Sequence, residues 1–451
     1  MDHPLLSRYA LTAGLLILAP CVRAEAANPP KVVAIWPAGL FETRVVFDGP
    51  VDPSAAKNLV GRMIAYDTSL PRKPTVFSPR KTPVPADATG TLKIAAAHLD
   101  GTRRILTLTN DPYPRAATYT LDLSTPSLKC EPVLYDLSGV EVVIDDGTEN
   151  PSTLWNGWWP VFEPKEAQVR LAGLPGHDAA FALLKRKGRL SLTSFVTLPK
   201  GPIVLSLSTN GPVEATLGGE SPNDDDDSEK AKAGKAAFRA ESSGEPILLT
   251  ITVPTGEPFP VLTLDFQPHA KSSSRGFLVE ARLTLPWTPP TPPPIAPLEN
   301  VPDLKNGDPK KGAAVFAGAE AKCANCHKVR GQGGNVGPDL SGLTGHDRAE
   351  VYLDIFNPSA RIHPDYVSYT IALKDGKVLV GTIRVKGGDD ILVTDTEAKV
   401  TQIPRADIDG IRPSAASIMP VGLAGAIGES NLRDLIAFLT TDTPAVPTAT
   451  K

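Results

Sequence analysis

Residues 322–340 read KCANCHKVRGQGGNVGPDL. Two cysteines stand three apart, and a histidine follows the second at once. Three chemistries use paired cysteines at this spacing: a redox-active dithiol, a zinc site, and covalent attachment of a haem. A dithiol of the thioredoxin kind expects a preceding strand and a βαβ frame, and neither is in the sequence. A zinc ribbon expects a second cysteine pair or a histidine pair. The chain has four cysteines. Besides Cys323 and Cys326 there are only Cys21, near the N-terminus, and Cys130, about two hundred residues upstream.

The remaining reading is the c-type haem signature, C-x-x-C-H. Two thiols add to two vinyl groups, and the histidine beside the second thiol reaches iron. This attachment is made outside the cytoplasm, and the N-terminus agrees. MDHPLLSRYALTAGLLILAPCVRAEAA has Arg8 ahead of an apolar run from Ala10 to Ala19, then small residues around Ala24 and Ala26. That is the pattern of a cleaved secretory signal, expected over residues 1–26. Its apolar run is too short to span a bilayer, and no later segment is long enough. Periplasmic or secreted localisation follows, without a membrane span after cleavage. Cys21 leaves with the signal. Cys130 is read as a small buried hydrophobe, with an intermolecular disulfide as its alternative.

The surroundings of the motif are helical with one interruption. Asp308-Pro309 caps a helix through KKGAAVF. DRAEVYLDIF is a second helix capped by Asp347, and SNLRDLIAFL is a third with Leu432, Leu435, Ile436 and Leu439 on one face. Between the last two, residues 366–411 alternate with period two, as Tyr369, Ile371 and Leu373 do, and Asp375-Gly376 marks a turn. A small antiparallel sheet is therefore expected inside a helical domain spanning 300–442. Residues 443–451 are expected to be a disordered tail.

Four segments in order, GAAVFAGAEAKCANCHKVRGQGGNVGPDLSGL, DIFNPSARIHPDYVSYTIALKDGKVLVGTI, IPRADIDGIRPSAASIMPVGL and LRDLIAFL, resemble the haem-binding domain of the Pirellula/Verrucomicrobium (planctomycete) type, a c-type cytochrome family. The resemblance covers about residues 300–442, a third of the chain. It implies a mainly α, class I-like cytochrome c fold with a β insertion, and one covalent haem c. Carried over residue by residue, it makes Cys323 and Cys326 the thioether anchors and His327 the proximal iron ligand. Pro338, in GPDL, would pack beside that histidine, where a backbone carbonyl orients the ring. Met419 would be the distal ligand. The family's asparagine is replaced at His363.

Met419 is also singled out by scarcity. The chain has three methionines. Met1 goes with the signal and Met63 lies far upstream, so Met419 alone shares the haem domain. A core methionine filling a gap is the plain alternative, and His346 and His363 are the rival distal ligands.

Upstream, the sequence reads as β. VVAIW, TRVVF, RILTLT and ATYTLDL give short strands over 28–148, with Tyr119, Leu121 and Leu123 alternating as in a half-buried strand. TRVVFDGPVDPSAA resembles the opening of bacterial Ig-like domains, so an Ig-like sandwich is expected there. Residues 151–285 form a second β region. Ile203, Leu205 and Leu207, then Asn210-Gly211, then Val213, Ala215 and Leu217 predict a hairpin. The pattern is similar to PA14-type or other carbohydrate-binding sandwiches. LWNGWW at 154–159 is either a sugar platform or core. GGESPNDDDDSEKAKAGKA is read as a solvated loop, since consecutive aspartates lack the spacing of a calcium loop. PWTPPTPPPIAP opens a Pro-rich linker over 286–299, expected to be a stiff spacer. The whole is thus multidomain: two N-terminal all-β sandwiches, then the cytochrome domain.

Net charge is −4 with a pI near 6.0, so no basic footprint for nucleic acid exists. No Rossmann or Walker glycine pattern appears. With both axial positions filled, the functional expectation is single-electron transfer, the β regions placing the haem. It is a carrier's role rather than an enzyme's. Any oxidoreductase chemistry would sit in a redox partner, such as a periplasmic dehydrogenase or another cytochrome. Two alternatives stand beside it. One is a surface carbohydrate- or protein-binding protein with an accessory haem, whose partner would be polysaccharide. The other is a haem sensor or enzyme with a displaceable distal ligand.

Overall fold

The computed structural model describes residues 29–67, 90–222, 234–267, 275–276, 282–289, 301–360, 362–363, 366–386 and 390–442. The signal segment, most of the acidic loop, the body of the Pro-rich linker and the C-terminal tail lie outside the described residues.

The first β unit is a seven-stranded antiparallel sheet. Its strands are β1 (Val32–Gly39), β2 (Glu42–Phe47), β3 (Met63–Asp67), β4 (Gly90–Leu99), β5 (Ile105–Asn110), β6 (Thr118–Leu121) and β7 (Val133–Asp136), in the order β1-β2-β5-β4-β3-β6-β7. β4 is shared: Gly90–Lys93 pair with β3, and Ile94–Leu99 pair with β5 through a register shift between Ile94 and Ala96. Such an irregularity bends a strand, letting one strand serve two directions of sheet. β6 is buried on both faces, Thr118 and Thr120 included, and not on one as its alternation suggested.

The second unit has two sheets. β8 (Val140–Asp145), β9 (Thr153–Trp159), β10 (Gly188–Thr197), β12 (Glu214–Leu217) and β14 (Ile247–Thr255) run in the order β12-β14-β10-β8-β9, and β17 (Arg282–Thr284) pairs with β10. β11 (Gly201–Thr209), β13 (Lys235–Ser242), β15 (Leu262–Gln267) and β16 (Arg275–Gly276) form the other, in the order β13-β11-β15-β16.

Three expectations change here. β8 lies before residue 148 yet pairs with β9 and β10, so the sheets divide after β7 rather than between 148 and 151. The hairpin at Asn210-Gly211 does not form, because β11 and β12 belong to different sheets. The Asn210 side chain is engaged elsewhere: it donates to the Phe259 carbonyl at 2.9 Å and accepts from the Val261 amide at 2.9 Å. That anchors a crossing between layers instead of a tight turn. Finally, the start of the Pro-rich segment is core and not spacer. Trp287 is buried and stacks on Tyr113 at 5.7 Å between ring centroids. In LWNGWW, Trp158 and Trp159 are buried as well, which settles those two as core.

The C-terminal region has helices Pro309–Ala317, Cys323–Cys326, Arg348–Phe356, Leu423–Ile427 and Glu429–Thr440. Asp308 caps the first, accepting from the Lys310 amide at 2.9 Å, and Asp347 caps the third, accepting from the Ala349 amide at 2.7 Å. A short ladder, β18 (Lys328–Val329) with β19 (Gln332–Gly333), follows the cysteine turn. The first and last helices cross at Gly312, where any Cβ would strike the Asp434 carbonyl. Arg330 ties the last helix down: its guanidinium donates to the Thr441 carbonyl at 2.6 Å and lies over the Phe438 ring at 5.1 Å.

The inserted sheet comprises β20 (Ser368–Leu373), β21 (Val378–Lys386), β22 (Asp390–Thr394), β23 (Val400–Pro404) and β24 (Ile408–Pro413), in the order β23-β22-β21-β20-β24. Its inward side chains, among them Tyr369, Ile371, Ile391 and Val393, join one continuous apolar core with both β units. The helices pack a separate core built on Phe316, Val351, Ile355, Leu432, Leu435 and Phe438.

Candidate haem site

The site grows from one helical turn. Lys322 enters it with positive φ, and CANC forms a single turn, so Cys323 and Cys326, three apart, share a face. The His327 amide closes the turn on the Cys323 carbonyl at 2.8 Å. The chain then folds back: the Val336 and Gly337 amides both donate to the Cys326 carbonyl at 2.9 Å. A Cβ on Gly337 would stand 2.5 Å from Cε1 of His327, so only glycine lets the backbone pass over the ring. The next residue, Pro338, places its carbonyl 3.0 Å from His327 Nδ1. A carbonyl only accepts, so Nδ1 carries the proton and Nε2 keeps its lone pair for a metal.

Cys323, Cys326, His327 and Pro338 line a cavity of 1270 Å³, and so does Met419. The structure therefore brings together all five residues singled out in the sequence. Met419 sits on a loop pinned from two sides. Its amide donates to Ser417 Oγ at 3.1 Å, and the Ser417 amide donates to Ser359 Oγ at 3.0 Å. Ser368 of the inserted sheet, fully buried, donates to the Ala416 carbonyl at 2.6 Å. Of the rival ligands, His363 lines the cavity, and His346 is not among its lining residues.

The electrostatics oppose a reactive dithiol. Burial pushes the Cys323 thiol up to about 11 and raises Cys326 too. A redox dithiol needs the reverse shift. Burial also lowers His327, against the bond to Pro338, which keeps the ring neutral as a ligand must be. Among the described residues, no group of three or more His, Cys, Asp or Glu is placed to hold a metal ion. The cavity exceeds the usual size of a small-molecule pocket, about 300–1,000 Å³, so a macrocycle has room. Paired thiols at its wall and an oriented imidazole beside them fit a haem c, and Met419 brings a thioether to the same lining.

Cys130 lies apart from the site. Its thiol is half-buried and pushed up to about 11 by burial, as a small hydrophobe's would be.

Several contributors had no signal in the sequence. Arg115 of the first β unit lines the cavity, as do Thr396 and Glu397 from the turn between β22 and β23. Ser359 and Ser368 hold the methionine loop without touching the motif. Gly337 was legible in principle, as a glycine ahead of the proline assigned to the ring.

Comparison with known proteins agrees at the helical region. Residues 309–365 match the Cytochrome c family model, a span holding Cys323, Cys326, His327 and Pro338 but not Met419. The chain thus carries a cytochrome c domain, which implies covalently bound haem c. A search of curated proteins returned no match. Among solved structures, an anti-sigma factor domain-containing protein from Clostridium clariflavum aligns at 12% identity and TM-score 0.24, over 57% of this chain and 91% of that one. The Epithelial Adhesin 6 A domain from Candida glabrata, in complex with Galb1-3GlcNAc, aligns at 10% identity and TM-score 0.21, over 32% of this chain and 86% of that one. A beta-glucosidase from Kluyveromyces marxianus aligns at 12% identity and TM-score 0.20, over 34% and 17%. Scores this low carry no argument about the β units.

Proposed function

We propose that this protein is a periplasmic or secreted monohaem c-type cytochrome of the planctomycete type that carries single electrons. One arrangement carries the reading: Cys323, Cys326, a Pro338-oriented His327 and Met419 all face one cavity. A haem c bound there supplies reversible one-electron exchange at iron. The chain's own residues do the rest. Cys323 and Cys326 hold the group covalently. His327 presents Nε2 as proximal ligand while Pro338 fixes the tautomer. Met419 offers a neutral thioether as distal ligand, which favours a higher potential than a second imidazole. The apolar wall, with Ile355, Leu435 and Leu439, excludes water.

The β units, read as an Ig-like and a carbohydrate-binding-like sandwich, position the haem domain toward a redox partner protein or a polysaccharide. His363, in the same cavity, is the specific reason to keep a second ligation in view. Spectra of the secreted protein, oxidised and reduced, beside Met419→Ala, separate the readings. A low-spin c-type spectrum with a weak iron–sulfur charge-transfer band, lost in the variant, is expected. An unchanged spectrum in Met419→Ala would move the distal role to His363. A high-spin native haem that binds carbon monoxide when reduced would favour the sensor or enzyme.

A further inference from the structure

The cavity is not built by the haem domain alone. Its charged lining includes Arg115 and Lys322 on the positive side and Glu320, Asp339, Asp354 and Glu397 on the negative. Lys322 is exposed, whereas Arg115 is half-buried. Among the described residues, the Arg115 guanidinium has no hydrogen bond or ion pair. Its backbone, in contrast, is held firmly. It follows Tyr113-Pro114, and Tyr113 is wedged edge-on against Tyr119 at 4.9 Å and stacked on Trp287. The Tyr119 hydroxyl donates to the Arg115 carbonyl at 2.5 Å. Both tyrosines are fully buried. A half-buried cation on a rigid support, lining a cavity without a protein partner among the described residues, is placed to receive an anion.

We propose that Arg115 is a positioning residue of the haem site, supplied by the first β unit, and that its guanidinium receives a propionate carboxylate of the bound haem. This rests on the haem reading above. A haem has two carboxylates, and a planar guanidinium meets such a group with two parallel donors. The β unit then does more than carry the cytochrome: it completes the site. A fixed cation beside the haem also favours the reduced form, which bears one positive charge fewer at iron.

The test uses the full-length secreted protein with Arg115→Gln, Arg115→Lys and the wild type. The readouts are the reduction potential by spectroelectrochemistry and the propionate bending band in the resonance Raman spectrum. Removing the cation is expected to lower the reduced-to-oxidised ratio at fixed electrode potential by about threefold to tenfold, where tenfold corresponds to about 59 mV for one electron. The Raman band should shift in Arg115→Gln, with partial return in Arg115→Lys. If Arg115→Gln fails to accumulate, Arg115→Lys against wild type still decides, because a point charge cannot reproduce the two-donor contact and its band should differ. Unchanged potential and unchanged band in haem-loaded variants would overturn the inference. A wild-type protein without covalent haem would instead overturn the haem reading itself.

Discussion

The helices and the inserted sheet lie within one stretch of chain, residues 301–442, yet they do not share a core. The helices close on each other around Phe316, Leu435 and Phe438, leaving the haem cavity at one side. The sheet turns its apolar face away and merges with the β units through Tyr369, Ile371, Ile391 and Val393. Tyr369 comes near enough to Tyr119 to help hold that phenol protonated, after burial, Tyr135 and Tyr66. Contiguity in sequence and cohesion in space are thus separate properties. The insertion is the joint by which a small cytochrome is mounted on a larger β body, and through Ser368 it also steadies the methionine loop.

The two bodies can be watched separately, since the five tryptophans all lie in the β units and a bound haem reports the helices. The largest difference should come from Cys323→Ala/Cys326→Ala. Covalent haem is lost, so acid–acetone extraction removes all colour. The helical region, left with an unfilled cavity, should lose its cooperative transition in calorimetry, while the tryptophan-detected transition persists. Loss of both would mean that the cores are coupled far more tightly than their packing suggests.

Tyr369→Ala attacks the joint. Truncating a fully buried aromatic costs about 3–5 kcal/mol. The expected result is a lower tryptophan-detected denaturant midpoint, with the haem spectrum retained at low denaturant. Gly312→Ala attacks the helices instead. The new methyl meets backbone, so overpacking should cost about 1–3 kcal/mol, seen at the Soret band and not in tryptophan emission.

Acid should also act unequally. His177 is buried, packs edge-on to Trp36 at 5.0 Å, and places Nε2 3.1 Å from the Trp158 carbonyl. Burial lowers its pKa from 6.5 despite that bond. The unfolded chain then binds the proton more readily than the folded one. Stability of the β body is therefore full above the unfolded value and declines as pH falls below about 6.5, until the folded group also titrates. Tryptophan-detected melting between pH 7.5 and 5 should show this slope, and His177→Gln should flatten it. The smallest effect belongs to Arg412, paired with Glu141 at 3.7 Å across the joint but half exposed. Arg412→Gln should change either midpoint by no more than about 0.5 kcal/mol.

What the sequence disclosed follows the range of each signal. Cys323, Cys326 and His327 are neighbours, so their chemistry is written in their spacing. Capping by Asp308 and Asp347 is equally local. The period-two stretch after residue 366 announced strands, but nothing in it says which body they join, because alternation marks a buried face and not its partner. Asn210-Gly211 looked like a hairpin, and long-range bonds to residues 259 and 261 overrode it. Arg115 stands more than two hundred residues before His327, and only tertiary packing brings it to the cavity.

The crossing at Gly312 also bears on the order of events during folding. The Asp308 amide donates to Asp434 at 2.7 Å, across a sequence separation of 126. Closing so long a loop waits on synthesis and on docking of the sheet between. Until the last helix arrives, the cavity beside the cysteine turn lacks the wall that Leu435 and Leu439 supply. Thioether formation therefore has a natural window, opening when the motif emerges and closing when the final helix seats, and a cytochrome matured too late would meet its own finished fold as the barrier.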